Sequence, residues 1–249
     1  METAVEKTEV SSPPIFYLSG DKPPKEELLN SQINLTQPFV QSPQTPCQGS
    51  GWKAQFACPQ GRLGWLVGQL MAVKNAPMIR FAVETLGVQP QDRVLEIGFG
   101  HGSGIQMIAE QARKGFVAGI DISDVMVRQA AKRNNDWSES GLIELSQASV
   151  ANIPYEYARF NKVLAVNNYQ FWPNPEHNLV EIQRVLAEDG LLVLCLRMAD
   201  PRQTFQLAPG FTTEEVSEIA GLVRWVGFRD VQMVNRRAGY EATCIIARR

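Results

Sequence analysis

The sequence has little of several features that mark common protein classes. Its 249 residues include only four cysteines and two histidines, and 24 lysines and arginines nearly balance 26 aspartates and glutamates. The cysteines and histidines lack metal-ligand spacing, so we expect no metal site. The balanced charge argues against a nucleic-acid partner. No apolar run approaches the ~20 residues that span a bilayer, and the acidic start lacks a secretory signal, so we expect a cytoplasmic protein without stable membrane insertion.

Composition divides the chain near residue 50. Residues 1–50 are rich in proline, serine, glutamine and threonine and show no helical or strand periodicity. Such a segment buries too little apolar surface to offset the entropy of ordering. We expect a flexible arm, or alternatively a lid that docks on the core through its apolar islands at 15–18 and 33–35. Residues 51–249 form the expected α/β domain, with a helical cap at about residues 60–88.

A glycine-rich segment follows the first predicted strand of this domain. The apolar run ends in Glu96, and Gly98, Gly100 and Gly102 then alternate with other residues. Glycine allows close backbone approach to a ligand and tolerates positive φ. Ser103 opens an amphipathic stretch at helical spacing, which predicts a loop feeding a helix N-terminus. Strand, glycine turn and helix together indicate a nucleotide-cofactor site.

Glu96 indicates which cofactor the loop takes. Dinucleotide enzymes use G-x-G-x-x-G, whose third glycine would fall here at Ser103. A carboxylate so close to a pyrophosphate would be disfavoured by roughly 1–4 kcal/mol. S-adenosylmethionine carries a sulfonium and an ammonium group and no phosphate, so the loop favours it. An oxidoreductase with a nicotinamide cofactor is the alternative from another class.

A second carboxylate ends the next apolar run, at residues 116–121. An acid at the tip of the second strand of a βαβ unit can accept both ribose hydroxyls, which predicts this role for Asp121. Ser123 follows as the predicted N-cap of the next helix.

These segments resemble the class I S-adenosylmethionine-dependent methyltransferases, especially the small-molecule and quinone-biosynthesis type. Residues 96–102 match the family's E-x-G-x-G-x-G loop, and residues 121–123 match its ribose acid and the positions after it. Residues 149–155, 160–167 and 186–194 resemble its later segments, so the likeness spans roughly residues 60–249. It implies a doubly wound, Rossmann-like α/β fold whose seven-stranded sheet is mostly parallel, with an antiparallel C-terminal edge strand.

The resemblance also implies a set of cofactor-binding residues. They are Glu96, Gly98, Gly100, Gly102, Asp121, Ile122, Ser149, Val150 and Asn167. The chain departs from the family pattern at Ser149, which stands where an acid contacts adenine, and at Asn161, where aspartate is usual and where we expect little chemical role. Glu188 and Asp189 replace a proline–glycine pair, which leaves Gly190 to make the expected turn.

The acceptor is expected beyond the carboxyl ends of the fourth and fifth strands, because ligands bind there in open α/β sheets. The pocket residues implied are Asn168, Tyr169, Phe171, Trp172 and Met198. For Phe171 and Trp172, a pocket wall and a core plug are equally consistent with the sequence.

Methyl transfer from a sulfonium is an in-line displacement that depends mainly on positioning, so a catalytic base is not required and its identity is unknown. Tyr169, His177 and His101 are the candidates. Simpler roles are favoured for each of them: pocket lining for Tyr169, a surface position for His177 and a loop position for His101.

The sequence therefore predicts a methyltransferase that uses S-adenosylmethionine and acts on a small molecule. Two alternatives stay open. One is a lipid or quinone acceptor at a membrane surface, and the other is a catalytically inactive protein that still binds the cofactor. The acceptor and the oligomeric state are left open.

Overall fold

The computed structural model describes residues 75–200, 210–238 and 240–249. The expected arm over residues 1–50 and the first part of the expected cap lie outside the described residues. The second helical stretch of the cap is present over residues 75–86, where Met78, Phe81 and Leu86 are buried as their spacing predicts.

Helices and strands alternate along most of the described chain. In order they are α1 (75–86), β1 (Arg93–Ile97), α2 (Ser103–Ala109), β2 (Phe116–Asp121), α3 (Asp124–Arg133), α4 (Asn135–Glu139), β3 (Ile143–Gln147), β4 (Phe160–Val166), α5 (Pro175–Val185), β5 (Leu186–Arg197), α6 (Thr213–Trp225), β6 (Arg229–Ala238) and β7 (Tyr240–Arg248). A 3₁₀ turn at Tyr169–Phe171 follows β4.

The strands form one seven-stranded sheet in the order β3-β2-β1-β4-β5-β7-β6. Strands β1 to β5 pair in parallel, and β7 runs antiparallel to both β5 and β6. The expected α/β class and mostly parallel sheet are confirmed. The antiparallel strand is β7, which lies one place in from the edge, while β6 forms the edge. The chain order reverses between β1 and β4, which creates the crevice that ligands use in such sheets.

Local capping chemistry fixes several helix starts. Ser123 accepts a hydrogen bond from the Met126 backbone N–H at the start of α3, as predicted. Thr212 caps α6 in a reciprocal pair with Glu215. Asn174 caps α5 ahead of Pro175. Helix α2 differs, because Gly102 is its N-cap residue and Ser103 is already helical.

The expected turn at Gly190 is wrong. The left-handed residue is Asp189, with φ 57°, and it lies inside an irregularity of β5 where the pairing with β4 shifts. Aspartate is one of the residues that adopt this conformation most readily, and here its Oδ1 accepts from Arg229 Nη2 over 3.0 Å. Gly190 is needed for space instead, since a Cβ there would lie 2.7 Å from Leu186 Cγ.

Asn161 also makes more contacts than expected for a residue with little chemical role. Its Nδ2 donates to Asp92 Oδ1 over 2.6 Å, and its Oδ1 accepts from the Arg93 backbone N–H over 2.7 Å. Asp92 also pairs with Lys162 Nζ at 2.9 Å. These contacts join the amino-terminal ends of β1 and β4, at the end of the sheet opposite the glycine loop.

Apolar cores cover both faces of the sheet. Alternate residues of each strand point to opposite faces, so neighbouring positions such as Val94 and Leu95 enter different cores. Helices α1 and α2 contribute to one core, and α5 and α6 contribute to the other. Both faces are therefore closed, and the carboxyl edge of the parallel strands is left for binding.

Candidate functional site

The carboxyl ends of β1, β2, β4 and β5 meet at one edge of the sheet. Backbone pairing places Ile97 beside Ile120 and Ala165, and places Val166 beside Cys195. The loops that leave these strands therefore start next to one another. They carry most of the residues expected in the site.

The glycine loop has the backbone conformation that only glycine adopts readily. Gly98, Gly100 and Gly102 have φ values of 66°, 55° and 85°. A Cβ at Gly98 would overlap the Asn168 amide, whose Nδ2 donates to the Ile97 carbonyl. Asn168, expected in the substrate pocket, thus contacts the glycine loop and joins the end of β4 to the end of β1.

Glu96 is a buried carboxylate next to this loop, with 2 % of its surface exposed. Its Oε2 has no hydrogen-bond partner among the described residues. Burial, reinforced by the nearby negative charge of Asp121, raises the pKa of Glu96 to about 8. Gly104 in α2 leaves room for the carboxylate, since a Cβ there would lie 2.7 Å from Glu96 Cδ.

Asp121 connects the second strand to the glycine loop. Its Oδ2 accepts from the Gly100 backbone N–H and its Oδ1 from the Ser123 backbone N–H, both over 2.9 Å. Burial raises the pKa of Asp121, and the two backbone hydrogen bonds oppose that rise. The next residue, Ile122, is an exposed apolar side chain at 42 %. A carboxylate and an apolar surface thus lie side by side at the tip of β2.

The segment after β3 holds Ser149 and Val150. The Ser149 hydroxyl accepts from the Ala151 backbone N–H over 3.2 Å, and Val150 is buried. The Ser149 side chain therefore stabilises a local turn, and its hydroxyl hydrogen remains available as a donor.

The segment after β4 turns back sharply over the strand ends. Asn167 has φ 51°, and its backbone N–H donates to the Cys195 carbonyl over 2.8 Å. Gln170 Nε2 then donates to the Asn167 carbonyl over 3.0 Å. This network holds the loop between β4 and β5, where an acceptor would approach.

The aromatic residues of this segment divide between core and surface. Trp172 is buried in the core under α5 and α6, whereas Phe171 is exposed. Tyr169 packs between Trp172 and Phe211, with ring centroids at 5.1 and 6.0 Å. The core-plug alternative therefore describes Trp172. Burial raises the pKa of Tyr169 to about 12, which makes its phenol a poor acid.

Neither histidine has a contact typical of a general base. Burial, with a contribution from Arg133, lowers the pKa of His101 to about 4. The imidazole is therefore neutral and weakly basic at pH 7. His177 is exposed, and its Nε2 lies 3.2 Å from the Ala151 carbonyl.

Of the ten buried side-chain polar atoms that lack a hydrogen-bond partner among the described residues, five belong to residues at or after the ends of β1, β4 and β5. Among the described residues they include Glu96 Oε2, Ser103 Oγ, Asn168 Oδ1, Gln170 Oε1 and Arg197 Nη2. Buried polar groups normally have partners, so such a cluster is typical of a binding site. The predicted site residues did not include Ser103, Gln170 or Arg197, although the acceptor was expected near residues 167–172 and at the end of the fifth strand, which includes Arg197. Their positions at or after strand ends were the available signal.

Two further features are absent from the described part of the chain. No group of three or more histidine, cysteine, aspartate or glutamate side chains is arranged to hold a metal ion there. Within the same residues, no helix is long and apolar enough to cross a membrane.

Fold and site together define a class of protein. A doubly wound sheet with a glycine loop after β1 and an acid at the tip of β2 is a nucleotide-cofactor-binding α/β domain. The antiparallel β7, inserted before the edge strand, sets this sheet apart from an all-parallel one.

Comparison with known proteins makes the class specific. Residues 95–194 match the family model of the methyltransferase domain. An uncharacterized methyltransferase of Bacillus subtilis, YdaC, is 24% identical over 168 residues, which is 68% of this chain and 88% of that protein. The matched domain, the relatives and the shared fold together support a class I S-adenosylmethionine-dependent methyltransferase.

Solved structures agree on the fold. A SAM-dependent methyltransferase from Aquifex aeolicus superposes with a TM-score of 0.58 at 20% identity, covering 70% of this chain and 92% of that chain. Geranyl diphosphate C-methyltransferase from Streptomyces coelicolor, in complex with S-adenosyl-L-homocysteine, gives a TM-score of 0.55 at 13% identity and covers 70% and 79%. At these identities the likeness concerns the fold alone.

The site also fits the cofactor of this family, S-adenosylmethionine. Its ammonium group suits the unpartnered oxygen of Glu96, and its ribose hydroxyls suit the carboxylate of Asp121. The positive-φ glycines leave space beside both groups.

Proposed function

We propose that this protein transfers a methyl group from S-adenosylmethionine to a small-molecule acceptor in the cytoplasm, at the carboxyl edge of the sheet. The observation that carries the proposal is the buried Glu96 carboxylate, with one oxygen unpartnered, next to the glycine loop. A buried carboxylate without a cation is costly, and a ligand ammonium would remove that cost.

The proposed cofactor contacts follow the strand order. Glu96 binds the ammonium group, and Gly98, Gly100 and Gly102 supply the backbone surface. Asp121 accepts from the ribose hydroxyls while its two backbone hydrogen bonds hold it in place. Ile122 packs on one face of the adenine, and Ser149 and Val150 lie at its edge. Asn167 closes the site from the end of β4.

When bound, S-adenosylmethionine supplies a methyl group already activated by its positive sulfur. The residues of this chain then have to hold the acceptor in line and exclude water. Tyr169 and Phe171 line the approach after β4, and Met198 lines it after β5. The high pKa of Tyr169 and the low pKa of His101 support positioning, rather than a strong general base, as their role.

Ser149 gives a second candidate some support. It stands where an acid is usual in this family, so adenine would be held without charge assistance. A protein that binds the cofactor but has lost transferase activity is therefore the alternative. Acceptor turnover distinguishes it from the proposed enzyme.

Calorimetry with S-adenosylhomocysteine tests the cofactor part of the proposal. We expect saturable binding of this ligand, and no binding of NAD⁺ at the same concentrations, because Glu96 would face a diphosphate. Absence of binding at millimolar S-adenosylhomocysteine would contradict the proposal. Labelled methyl donor, incubated with fractionated small-molecule extracts, then tests transfer. Detergent-dependent labelling of an apolar product would instead favour the lipid or quinone acceptor.

A further inference from the structure

Arg197 is a cation at the acceptor end of the sheet that the proposed cofactor contacts do not use. It is the last residue of β5 and directly precedes Met198, which lines the proposed acceptor approach. Two residues earlier, Cys195 pairs with Val166 at the end of β4 and belongs to the core under α1 and α2. Side chains alternate along a strand, so Arg197 lies on that same face, at the carboxyl edge.

The guanidinium of Arg197 is held in place by a ring rather than by a carboxylate. Its Cζ lies 5.2 Å from the centroid of the Tyr240 ring. Tyr240 is the first residue of β7, and Arg197 pairs with Ala242 two residues further on, so both side chains share one face. Such cation–π stacking fixes the plane of the guanidinium and leaves its N–H edges free.

One N–H edge of the Arg197 guanidinium has no hydrogen-bond acceptor among the described residues. Arg197 Nη2 is buried without a hydrogen-bond partner, and no carboxylate of the described residues forms an ion pair with Arg197. Other arginines of the described chain do have acidic partners: Arg184 pairs with Glu181, Arg229 with Asp189 and Arg236 with Glu84. A buried guanidinium N–H is unfavourable without an acceptor. Arg197 therefore has a specific requirement for an oxygen ligand.

We infer that Arg197 and Tyr240 recognise an anionic group, a carboxylate or a phosphate, on the acceptor. The inference rests on the proposed function and deepens it, because it gives the acceptor a chemical class. The planar guanidinium binds such a group through two parallel hydrogen bonds. Tyr240 keeps the guanidinium in the orientation for those bonds. Strand β4 lies between β1, which carries Glu96, and β5, which carries Arg197, so the acid group is separated from the carboxylates that would repel it. It thereby orients the acceptor with its reacting atom toward the cofactor.

NMR spectroscopy provides the test. It follows the Nε–Hε signals of the arginines in ¹⁵N-labelled full-length protein that is loaded with S-adenosylhomocysteine. The Arg197 signal is assigned from its absence in Arg197→Gln. Benzoate represents a carboxylate, inorganic phosphate represents a phosphate, and benzyl alcohol is the neutral match for benzoate. We expect saturable shifts of the Arg197 signal with benzoate or with phosphate, and none with benzyl alcohol. Whichever anion produces the shift identifies the acid group.

Variants give the second measurement. Arg197→Gln should weaken binding of that anion at least tenfold, and Arg197→Lys should weaken it less, since the charge remains while the fork is lost. Arg237→Gln is the matched control, because Arg237 is an exposed arginine on β6, which β7 separates from β5. It should bind the anion as the unaltered protein does. Melting temperatures show whether each variant is folded.

The outcomes separate this inference from the proposed function. If S-adenosylhomocysteine does not bind, the proposed function fails. If it binds and neither anion shifts the Arg197 signal at tens of millimolar, the acceptor class inferred here is wrong. Equal weakening by Arg197→Gln and Arg237→Gln would show only a general charge effect and would also overturn the inference.

Discussion

Glu96 is an ionisable side chain at a position where burial favours its uncharged form. It is almost fully buried, its Oε2 is unpartnered, and Asp121 adds a like charge nearby. Burial disfavours the ionised form, which is why the pKa rises to about 8. A cationic ligand would reverse this effect, because it favours the ionised form.

Binding of S-adenosylhomocysteine should therefore release a proton. At pH 7 a carboxyl group of pKa about 8 holds roughly 0.9 proton, and pairing with the ligand ammonium releases most of it. Calorimetry at pH 7 in buffers of different ionisation enthalpy measures this number. Glu96→Gln should abolish the release and weaken binding about 10–100-fold, as expected for a lost charge-assisted hydrogen bond. An unchanged release in Glu96→Gln would assign the proton to another group.

Asp121 has both a structural and a proposed ligand-binding role. Asp121→Ala leaves the Gly100 and Ser123 backbone N–H groups without their acceptors, so the melting temperature should fall. Affinity for S-adenosylhomocysteine should fall at least tenfold, measured by calorimetry below the melting temperature. Asp121→Asn keeps one oxygen acceptor and is the milder variant. Unchanged affinity in both variants would remove Asp121 from the proposed site.

Among the elements, α2 shows how packing against a functional side chain constrains a helix. It is seven residues long, has no side-chain cap and contains a glycine at its second position. Glycine lowers helix stability relative to alanine by roughly 0.5–1 kcal/mol. Gly104 is nevertheless required here because the Glu96 carboxylate occupies the space of a Cβ.

Two glycine-to-alanine variants separate helix propensity from this steric requirement. Gly104→Ala should destabilise the protein by about 1–3 kcal/mol, since the added methyl group overlaps the Glu96 carboxylate. Gly221→Ala in α6 is the control. Apart from its chain neighbours and its own helix backbone, no atom lies within 4 Å of its added Cβ, so the substitution should stabilise the protein by about 0.5–1 kcal/mol. Urea denaturation measures both. Equal effects of the two variants would contradict the steric explanation.

The stability of the whole molecule should depend on pH through the same buried carboxylate. The pKa of Glu96 is about 8 in the folded protein against an ordinary value of 4.5. Between these values the folded state holds more protons than the unfolded chain, so the free energy of unfolding falls as pH rises.

The contribution of Glu96 should be fully present below about pH 4.5 and lost as pH rises through 8, with a slope of up to about 1.4 kcal/mol per pH unit. Urea denaturation from pH 5 to pH 8.5 measures the slope. Glu96→Gln should have a smaller slope over this range. Identical slopes would show that Glu96 does not titrate there.

The N-terminal segment should contribute little to the stability of the whole molecule. Its composition offers little apolar surface to bury. Deletion of residues 1–45 should therefore leave the melting temperature nearly unchanged, by calorimetry with and without S-adenosylhomocysteine. A large fall, especially with ligand bound, would favour the docked-lid alternative.

Sequence reasoning was accurate for most residues that act through their own backbone or their near neighbours, with the turn expected at Gly190 as an exception. The glycine loop requires positive φ, and all three of its alternating glycines have it. Ser123 caps α3 because its oxygen reaches an N–H group three residues away. Short apolar runs placed β1 and β2, because a parallel strand covered on both faces of the sheet is apolar at nearly every position.

Contacts between segments that are far apart along the chain could not be predicted from local sequence patterns. Trp172 could wall a pocket or fill the core, and only its packing under α5 and α6 shows that it fills the core. Asn168 contacts Ile97, which lies 71 residues earlier in the chain, because β4 lies beside β1. Among the described residues Arg197 has no acidic partner and a buried, unpartnered Nη2, which depends on its surroundings and not on a local pattern.

By itself, then, the sequence determined the fold class and located the glycine loop and its two acids, because these depend on backbone conformation and local charge. Tertiary structure alone decided how far Glu96 is desolvated, which aromatic ring fills the core and which buried arginine nitrogen of the described residues has no partner. Those properties depend on distances between strands and helices that are far apart along the chain.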